Sequence, residues 1–481
     1  MNHDELVGLA RALGYTSITY NGLCKGFTGM WIHAACCGEI GALKARMKLL
    51  EQYVDAPAEL RKEIYQTRQL VKIGQKLDEK QKALLEIPAF FDGIALFLNP
   101  DKSNEMMGDK VLNQFNQIEI SQYLQPNKLE QLGGLRCALK TTNHYLPQQL
   151  TQYLQTISKS LDNIPDVAID FSANSHSMGV RVLGINQFEL IDTNNLSLIN
   201  EVYNSEELSK KLYDFFLNSS LFDGFFTPAP LVMFTSIFTN QENFINLDHL
   251  KSTSPVVLLP PDQSNKTLLD LAAASNDVDT LRRMDFSKID VNKMGGEGVY
   301  VGTALVMAVL CNANTAAEYL LSVPGIDVNP TQSQFLPILS AIALKNYDLA
   351  KKIAEHETFN PYKTIEQNNA LHALAQTKTP NEKTSSFAQY LITKGININK
   401  KNNLGNTPLY EACLKGNTQL VQLFIDNEAT FDLNFQNSSP LHAAILSNNK
   451  NLLELLLNKG LDCNLRNKDC QRQLKSDPLL V

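Results

Sequence analysis

The sequence predicts two unlike parts, an α+β domain followed by an all-α solenoid of repeated helix pairs. Apolar residues alternate with polar ones between residues 167 and 192, which favours a small antiparallel sheet in the first part. A helical pattern that recurs from about residue 264 onwards predicts the second part. Three prolines between them mark a boundary. The predicted divisions are a first domain at 1–250, a linker at 251–263, repeats at 264–466 and a C-terminal tail at 467–481.

Composition limits the classes of function. A chain of 481 residues with 44% hydrophobic content can bury two sizeable cores. A formal net charge of −7 without a basic stripe argues against nucleic acid or an acidic membrane surface as the main partner. The apolar stretches 88–98 and 225–239 are too short and too interrupted to span a membrane. The N-terminus lacks the features of a signal peptide, so we expect a cytosolic protein or export by a leaderless route.

The elements of the first domain follow from the spacing of apolar residues. Period-2 alternation predicts strands, and a helical period with charged outer faces predicts helices. Strands are predicted at 167–171, 176–183, 188–192 and 231–238, and helices at 42–54, 57–87, 106–124 and 146–163.

One cysteine stands between glycines where a loop becomes a helix. Cys24 lies in the segment 22–26, and the apolar residues 30–35 that follow predict the body of a helix. A thiol at a helix N-terminus lies near the positive end of the helix dipole, which favours the thiolate. Because the thiolate is the reactive form, Cys24 is the candidate nucleophile.

Two strands of a predicted hairpin carry a candidate base and a residue to orient it. His176 begins one strand, and Asp192 ends the next. If the loop closes around Gly184, the two residues lie directly opposite each other, and a register two residues longer makes them diagonal neighbours. In both registers a carboxylate can hold the imidazole, which is the pair that a cysteine nucleophile requires.

The order Cys24, His176, Asp192 resembles that of papain-type cysteine peptidases. The closer similarity is to the YopT-like group of bacterial effectors, which combine a Gly-x-Cys-x-Gly block, a His-x-x-Gly strand and a strand that ends in Asp. In this sequence the three blocks are residues 22–26, 176–179 and 188–192. The resemblance implies a papain-like fold over roughly residues 15–240. It also implies Cys24 as nucleophile, His176 as general base and acid, and Asp192 as the residue that orients the imidazole.

The sequence departs from the papain pattern around the oxyanion hole. The glutamine of that pattern would fall on Ile18, which cannot donate a hydrogen bond. Asn21 is the nearest side-chain donor, with the backbone amide of Cys24 as the second donor, and its alternative role is to cap the turn before the helix. No aromatic shield is evident beside His176.

The remaining cysteines do not form a metal-binding pattern. Cys24, His33, Cys36 and Cys37 lie close in sequence, but a helix points adjacent cysteines in different directions and the spacing matches no paired-ligand motif. Dispersed cysteines in a chain without a leader indicate reduced thiols. We expect no metal and no cofactor.

The second part contains a repeat of 32 to 38 residues. Its six units begin at residues 267, 303, 336, 369, 407 and 439. A period near 33 with a Thr-Pro-Leu-His motif is typical of ankyrin repeats, each an inner and an outer helix. His372 and His442 occupy the histidine of this motif, so we expect structural roles for them. The first repeat is not polar on its N-terminal side, which predicts that the preceding domain covers it.

An ankyrin array joined to a papain-like cysteine domain resembles the ankyrin-repeat effectors that Legionella and related bacteria inject by a type IV secretion system. The ankyrin D type is the nearest. This resemblance implies a virulence protein in the host cytosol, with a monomer favoured. It implies a Cys24–His176–Asp192 hydrolase, most simply a peptidase, acting on a host protein that the concave ankyrin surface recruits. Two alternatives stay open: a catalytically silent protease-like fold that serves as a binding scaffold, and an acyltransferase or deamidase.

Overall fold

The computed structural model forms two compact units. The first comprises Met1–Asp285 with Gly295–Glu297, and the second comprises Phe286–Met294 with Gly298–Val481. The residues that the structure describes are 1–18, 23–98, 117–124, 127–173, 176–192, 196, 201–217, 231–252, 268–295, 302–377, 382–434 and 436–462.

Among the described residues, a six-stranded antiparallel sheet organises the first unit. Its strands are β1 (Leu135–Tyr145), β2 (Ala168–Ala173), β3 (His176–Gly184), β4 (Gln187–Ile191), β5 (Val202–Tyr203) and β6 (Leu231–Asn240). The order across the sheet is β1-β6-β2-β3-β4-β5. Four of these strands were predicted from the sequence, whereas β1 and the short β5 were not. β1 escaped prediction because its second half is a run of polar residues, although the structure buries them.

Helices surround this sheet. Those described in the first unit are α1 (His3–Ala12), α2 (Leu23–Cys36), α3 (Ile40–Glu51), α4 (Pro57–Lys72), α5 (Glu79–Leu98), α6 (Gln117–Ser121), α7 (Asn127–Gln131), α8 (Pro147–Ser160), α9 (Ser205–Leu217), α10 (Asp248–Ser252), α11 (Leu268–Ala274) and α12 (Val278–Arg283). The helices predicted over 42–54 and 146–163 correspond to α3 and α8. Most of the helix predicted over 106–124 lies outside the described residues.

The helix predicted over 57–87 is in fact two helices. α4 ends at Lys72, and Gly74 turns the chain with a positive φ of 74°. Asp78 then caps α5, since its carboxylate accepts a hydrogen bond from a backbone amide of the first turn. α5 continues through Pro88, past the predicted helix end at residue 87, and the hydroxyl of Tyr15 donates to the Pro88 carbonyl at 2.8 Å.

Helices cover both faces of the sheet. Trp31 of α2 lies against Gly179 of β3, where an added Cβ would approach the indole ring to 2.5 Å. The preceding residue of the strand, Met178, points to the opposite face because side chains alternate. There it joins a core that includes Leu154 of α8 and Leu212 of α9. β3 is therefore held between α2 on one side and α8 and α9 on the other.

The helix pair of the first predicted repeat, α11 and α12, belongs to the first unit. Thr280 of α12 lies beside the edge strand β1, with its hydroxyl 3.3 Å from the carbonyl oxygen and 3.5 Å from the amide of Thr142. Lys140 of β1 donates to the carbonyl of Ser275 at 3.1 Å. These contacts agree with the expectation that the preceding domain covers the first repeat. Of the predicted linker, residues 253–263 lie outside the described part of the chain.

In the part of the second unit that the structure describes, five further helix pairs confirm the predicted repeat. They are α13 (Ala304–Leu310) with α14 (Asn314–Leu321), α15 (Pro337–Ala343) with α16 (Tyr347–Glu355), α17 (Ala370–Ala375) with α18 (Glu382–Thr393), α19 (Pro408–Leu414) with α20 (Thr418–Asp426), and α21 (Pro440–Leu446) with α22 (Lys450–Asn458). Thr303, Asn369, Thr407 and Ser439 cap the inner helices that follow them, as the repeat motif requires. The tail at 467–481 lies outside the described residues.

Candidate active site

Cys24 is the second residue of α2, as the sequence predicted, and its side chain is 4% exposed. The glycines that follow it let α2 pack closely on α5. A Cβ on Gly26 would lie 2.7 Å from the carbonyl oxygen of Ile94, and one on Gly29 would lie 2.6 Å from the ring of Phe97. These contacts fix the helix that carries the thiol.

The structure brings Cys24 and His176 together. His176 is the first residue of β3, and its Nδ1 lies 3.9 Å from the Cys24 Sγ although the two residues are 152 apart in sequence. At this separation a thiol can share its proton with a ring nitrogen, and such hydrogen bonds are often long in an unliganded site. The pair therefore has the arrangement of a nucleophile and its base.

Asp192 follows the end of β4, and the hairpin adopts the longer of the two predicted registers. Gly179 of β3 pairs with Ile191 of β4, so the next residue, Asp192, falls opposite Met178. His176 is two residues from Met178 on the same strand face and is therefore the diagonal neighbour of Asp192. The carboxylate and the imidazole share one face of the hairpin.

A cleft of about 700 Å³ opens on that face. The negative charge of Asp192 is felt there by Tyr203, whose pKa is raised to about 12 by burial first, then by Glu201 and Asp192. Apolar side chains and charged side chains of both signs line the cleft, among them Met178, Asp192, Tyr203, Lys211, Asp214 and Phe215.

An aromatic residue does lie beside the candidate base, which corrects the sequence prediction. Phe215 of α9 packs edge-on against His176, with ring centroids 5.1 Å apart and an interplanar angle of 72°. The sequence near His176 could not show this residue because a distant helix supplies it. The contact restricts the orientation of the imidazole and covers one side of it with an apolar ring.

A buried network that the sequence analysis missed lies directly behind the pair. Lys25, the residue after Cys24, donates to Asp170 of β2 at 2.7 Å and to Ser172 at 3.0 Å. Ser177, the residue after His176, donates to the other oxygen of Asp170. A signal was present in the sequence, since Asp170 stands in an otherwise apolar strand and Lys25 in an apolar helix.

The oxyanion hole stays a prediction. Asn21, the proposed side-chain donor, lies outside the described residues. Ile18, at the position of the papain glutamine, is completely buried in the core around α2. The backbone amide of Cys24 belongs to the first turn of α2, where amides point out of the N-terminal end of a helix.

The neighbouring cysteines are chemically distinct from a nucleophile. Burial raises the pKa of Cys36 well above its usual range and that of Cys37 to about 12. Burial also lowers the pKa of His33 to about 4, so that this histidine is neutral at physiological pH. In the described part of the chain, no three His, Cys, Asp or Glu side chains come together as a metal site would require. No helix among the same residues has the length and apolarity to cross a membrane.

The repeat histidines have structural contacts, as predicted. Nε2 of His372 lies 3.0 Å from the carbonyl oxygen of Asn406, and Nδ1 of His442 lies 2.8 Å from the hydroxyl of Ser439. Burial lowers the pKa of His372. Both side chains stabilise the start of a helix or its link to the next repeat.

Comparison with family models matches residues 371–467 to the family described as Ankyrin repeats (3 copies). These residues contain the last three predicted units. The chain is therefore an ankyrin-repeat protein in this part, and the repeats indicate binding to other proteins.

Curated relatives share only part of their length with this chain. The Fowlpox virus (strain NVSL) ankyrin repeat protein FPV222 is 23% identical over 157 residues, which cover 25% of this chain and 21% of the relative. The SMC5-SMC6 complex localization factor protein 1 of Homo sapiens is 31% identical over 131 residues, which cover 27% and 12%. Among solved structures, an ankyrin repeat domain from Acinetobacter baumannii AYE is 27% identical with a TM-score of 0.35, covering 40% of this chain and 98% of its own. The chain thus spans about a fifth or less of the length of these two curated relatives.

Proposed function

We propose that this ankyrin-repeat protein is a thiol hydrolase, most simply a peptidase, in which Cys24, His176 and Asp192 act on a protein that the repeats recruit. The observation that carries the proposal is the 3.9 Å separation between the Cys24 Sγ and the His176 Nδ1. The edge-on contact of Phe215 supports it, because an adjacent ring restricts the imidazole. The diagonal position of Asp192 across the hairpin supports it too, because a carboxylate at that position can orient the imidazole.

The proposed reaction has two halves, and His176 acts as a base and then as an acid in each. The Cys24 thiol gives its proton to an unprotonated ring nitrogen of His176, and the sulfur forms a bond to the substrate carbonyl carbon. The imidazolium then protonates the departing amine as the C–N bond breaks, which leaves a thioester. A water molecule then gives a proton to His176 and forms a C–O bond to the thioester carbon. The C–S bond breaks, the carboxylic acid product leaves, and the imidazolium returns the proton to the sulfur of Cys24. Asp192 orients the imidazole, and the Cys24 amide stabilises the oxyanion, with Asn21 as the proposed second donor.

The wider biological role is a second part of the same proposal. A cysteine helix packed on an antiparallel sheet, with histidine and aspartate on adjacent strands, resembles the papain-type and YopT-like groups. Together with the ankyrin repeats, this pairing supports a bacterial effector that a type IV system delivers into the host cytosol. The repeats would then hold a host protein whose chain reaches the thiol of Cys24.

One observation favours a second candidate function, a binding scaffold without turnover. The Cys24 side chain is only 4% exposed, and a nucleophile must be reached by its substrate. In that case the protease-like fold would contribute a surface rather than a reaction.

The test compares the full-length protein with Cys24→Ala in host-cell lysate, and Cys311→Ala serves as a control at a half-buried cysteine of the second unit. New protein N-termini are identified by mass spectrometry, and an electrophilic thiol probe is applied in parallel. We expect cleavage and labelling that vanish in Cys24→Ala, persist in Cys311→Ala and weaken in His176→Ala. Deamidated or acylated proteins in place of cleaved ones would assign the acyl-transfer alternative. If Cys24 is neither labelled nor needed for any change in the lysate proteins, the binding scaffold without turnover is the remaining function.

A further inference from the structure

We propose that Asp170 is a positioning residue that holds the nucleophile and the base in register with each other. This single buried carboxylate binds the residue that follows Cys24 and the residue that follows His176. The inference rests on the proposed function, since it concerns the same Cys24–His176 pair, and it adds a residue outside the predicted triad.

The nucleophile side of the connection is an ion pair. Lys25 follows Cys24 directly in α2, and its Nζ donates to Oδ2 of Asp170 at 2.7 Å and to the hydroxyl of Ser172 at 3.0 Å. Asp170 and Ser172 share one face of β2, because they are two residues apart on the strand. The start of α2 is thus attached to the centre of the sheet by a charged hydrogen bond, which is stronger and more directional than a neutral one.

The base side of the connection uses the other carboxylate oxygen. Ser177 follows His176 directly in β3, and its hydroxyl donates to Oδ1 of Asp170. Ser172 donates to the same oxygen at 2.9 Å. A second link joins the two carriers without Asp170, since the hydroxyl of Thr28 in α2 donates to the Ser177 carbonyl at 3.2 Å. The helix with the thiol and the strand with the imidazole therefore meet at one set of polar contacts.

Burial strengthens these hydrogen bonds. Asp170 is 1% exposed, Ser177 2% and Lys25 7%, so water does not compete for them. Replacing a buried ion pair by apolar side chains is often neutral for stability, so stability alone does not account for such a pair. Geometry accounts for it here, because the pair fixes where α2 lies relative to β3.

The functional consequence follows from the distance between the reacting atoms. At 3.9 Å, the Sγ–Nδ1 contact is at the outer limit of a hydrogen bond to sulfur. A small slide of α2 would break it, and a misplacement of about 1 Å can lower a rate by about 100-fold. Asp170 is therefore expected to govern how readily Cys24 gives its proton to His176.

The experiment measures the rate of Cys24 alkylation by iodoacetamide against pH in the full-length protein. In the wild type we expect reactivity at pH 6 that depends on His176, shown by its loss in His176→Ala. Asp170→Asn should lower the rate at pH 6 by about tenfold or more and move the profile towards that of an ordinary thiol, near pH 8.5. Ser177→Ala, which removes one oxygen and keeps the ion pair, should lower it by about fivefold, the equivalent of one hydrogen bond.

Two further variants separate positioning from folding. Lys25→Met/Asp170→Leu replaces the ion pair by apolar side chains. This double variant should therefore have a melting temperature near that of the wild type, but the low reactivity of Asp170→Asn at pH 6. Glu189→Gln is the matched control, because Glu189 of β4 is also a buried carboxylate, paired with Lys44 and Arg181. It should lower the melting temperature and leave the alkylation profile unchanged.

The outcomes distinguish this inference from the proposed function. If the wild-type rate does not depend on His176, the proposed function fails. If it does depend on His176, but the folded double variant and Ser177→Ala both keep the wild-type profile, Asp170 is not a positioning residue. A Glu189→Gln profile that shifts as far as that of Asp170→Asn would also overturn the inference.

Discussion

Buried polar side chains have different roles in the two units. In the first unit they connect distant parts of the chain, as Lys25 of α2 does with Asp170 of β2, 145 residues away. In the second unit they connect neighbouring repeats, as His372 does with the carbonyl of Asn406, 34 residues away. A defect in the first unit should therefore spread through a whole core, whereas a defect in the repeats should remain close to its origin.

The largest expected effect concerns the first repeat, which lies in the first unit. A chain ending at residue 252 lacks α11 and α12, so the outer edge of β1 near Thr142 loses the contacts of Thr280. Exposed edge strands promote aggregation. A chain ending at residue 297 keeps them. We expect the longer chain to be monodisperse in size-exclusion chromatography with light scattering and the shorter one to aggregate. If the two chains aggregate to the same extent, α11 and α12 do not protect the edge of β1, and the first repeat serves only the repeat array.

The next effect compares one large aromatic residue in each unit. Trp31 and Phe424 are both buried, at 1% and 0% exposure. Either change to alanine should lower the free energy of unfolding by about 3–5 kcal/mol. Hydrogen exchange followed by mass spectrometry should show faster exchange throughout the first unit for Trp31→Ala, but only in repeats next to α20 for Phe424→Ala.

The conservative Trp31→Phe and Phe424→Leu are the controls, with smaller losses in the same regions. Exchange that rises across the whole repeat array in Phe424→Ala would contradict the local character of that unit.

The same difference in contact range explains what the sequence could predict. The repeat units were found because each one's caps and helices lie within one period, as Thr407 with α19 shows. In the first unit, Cys24, His176 and Asp192 were predicted from local patterns, and the structure brings the first two within 3.9 Å. Asn21 lies outside the described residues, and its role as an oxyanion donor stays a prediction.

What the sequence could not predict in the first unit depends on long-range packing. Phe215 reaches His176 from a helix that local patterns do not connect to β3. The partner of Lys25 was likewise invisible, because nothing near α2 indicates that β2 lies beneath it. β1 was missed because its polar residues become buried only against β6 and α12.

The last and smallest effect is the response of the units to acid. Burial holds the pKa of His33 in α2 near 4, below the value of 6.5 for an unfolded histidine. Between these values the unfolded chain binds a proton at His33 that the folded chain does not. The stabilising contribution of neutral His33 is therefore fully present above pH 6.5. Below that pH the free energy of unfolding falls, by up to about 3 kcal/mol near pH 4. His33→Leu should remove this dependence, measured by urea unfolding followed by circular dichroism at pH 7.5, 6 and 5.

His372→Leu is the matched variant in the repeats, where burial also lowers the pKa of the histidine. His372→Leu should change the acid response of the second unit alone. If the free energy of unfolding of His33→Leu keeps the wild-type dependence on pH, other groups of the first unit are responsible for the acid sensitivity of that unit.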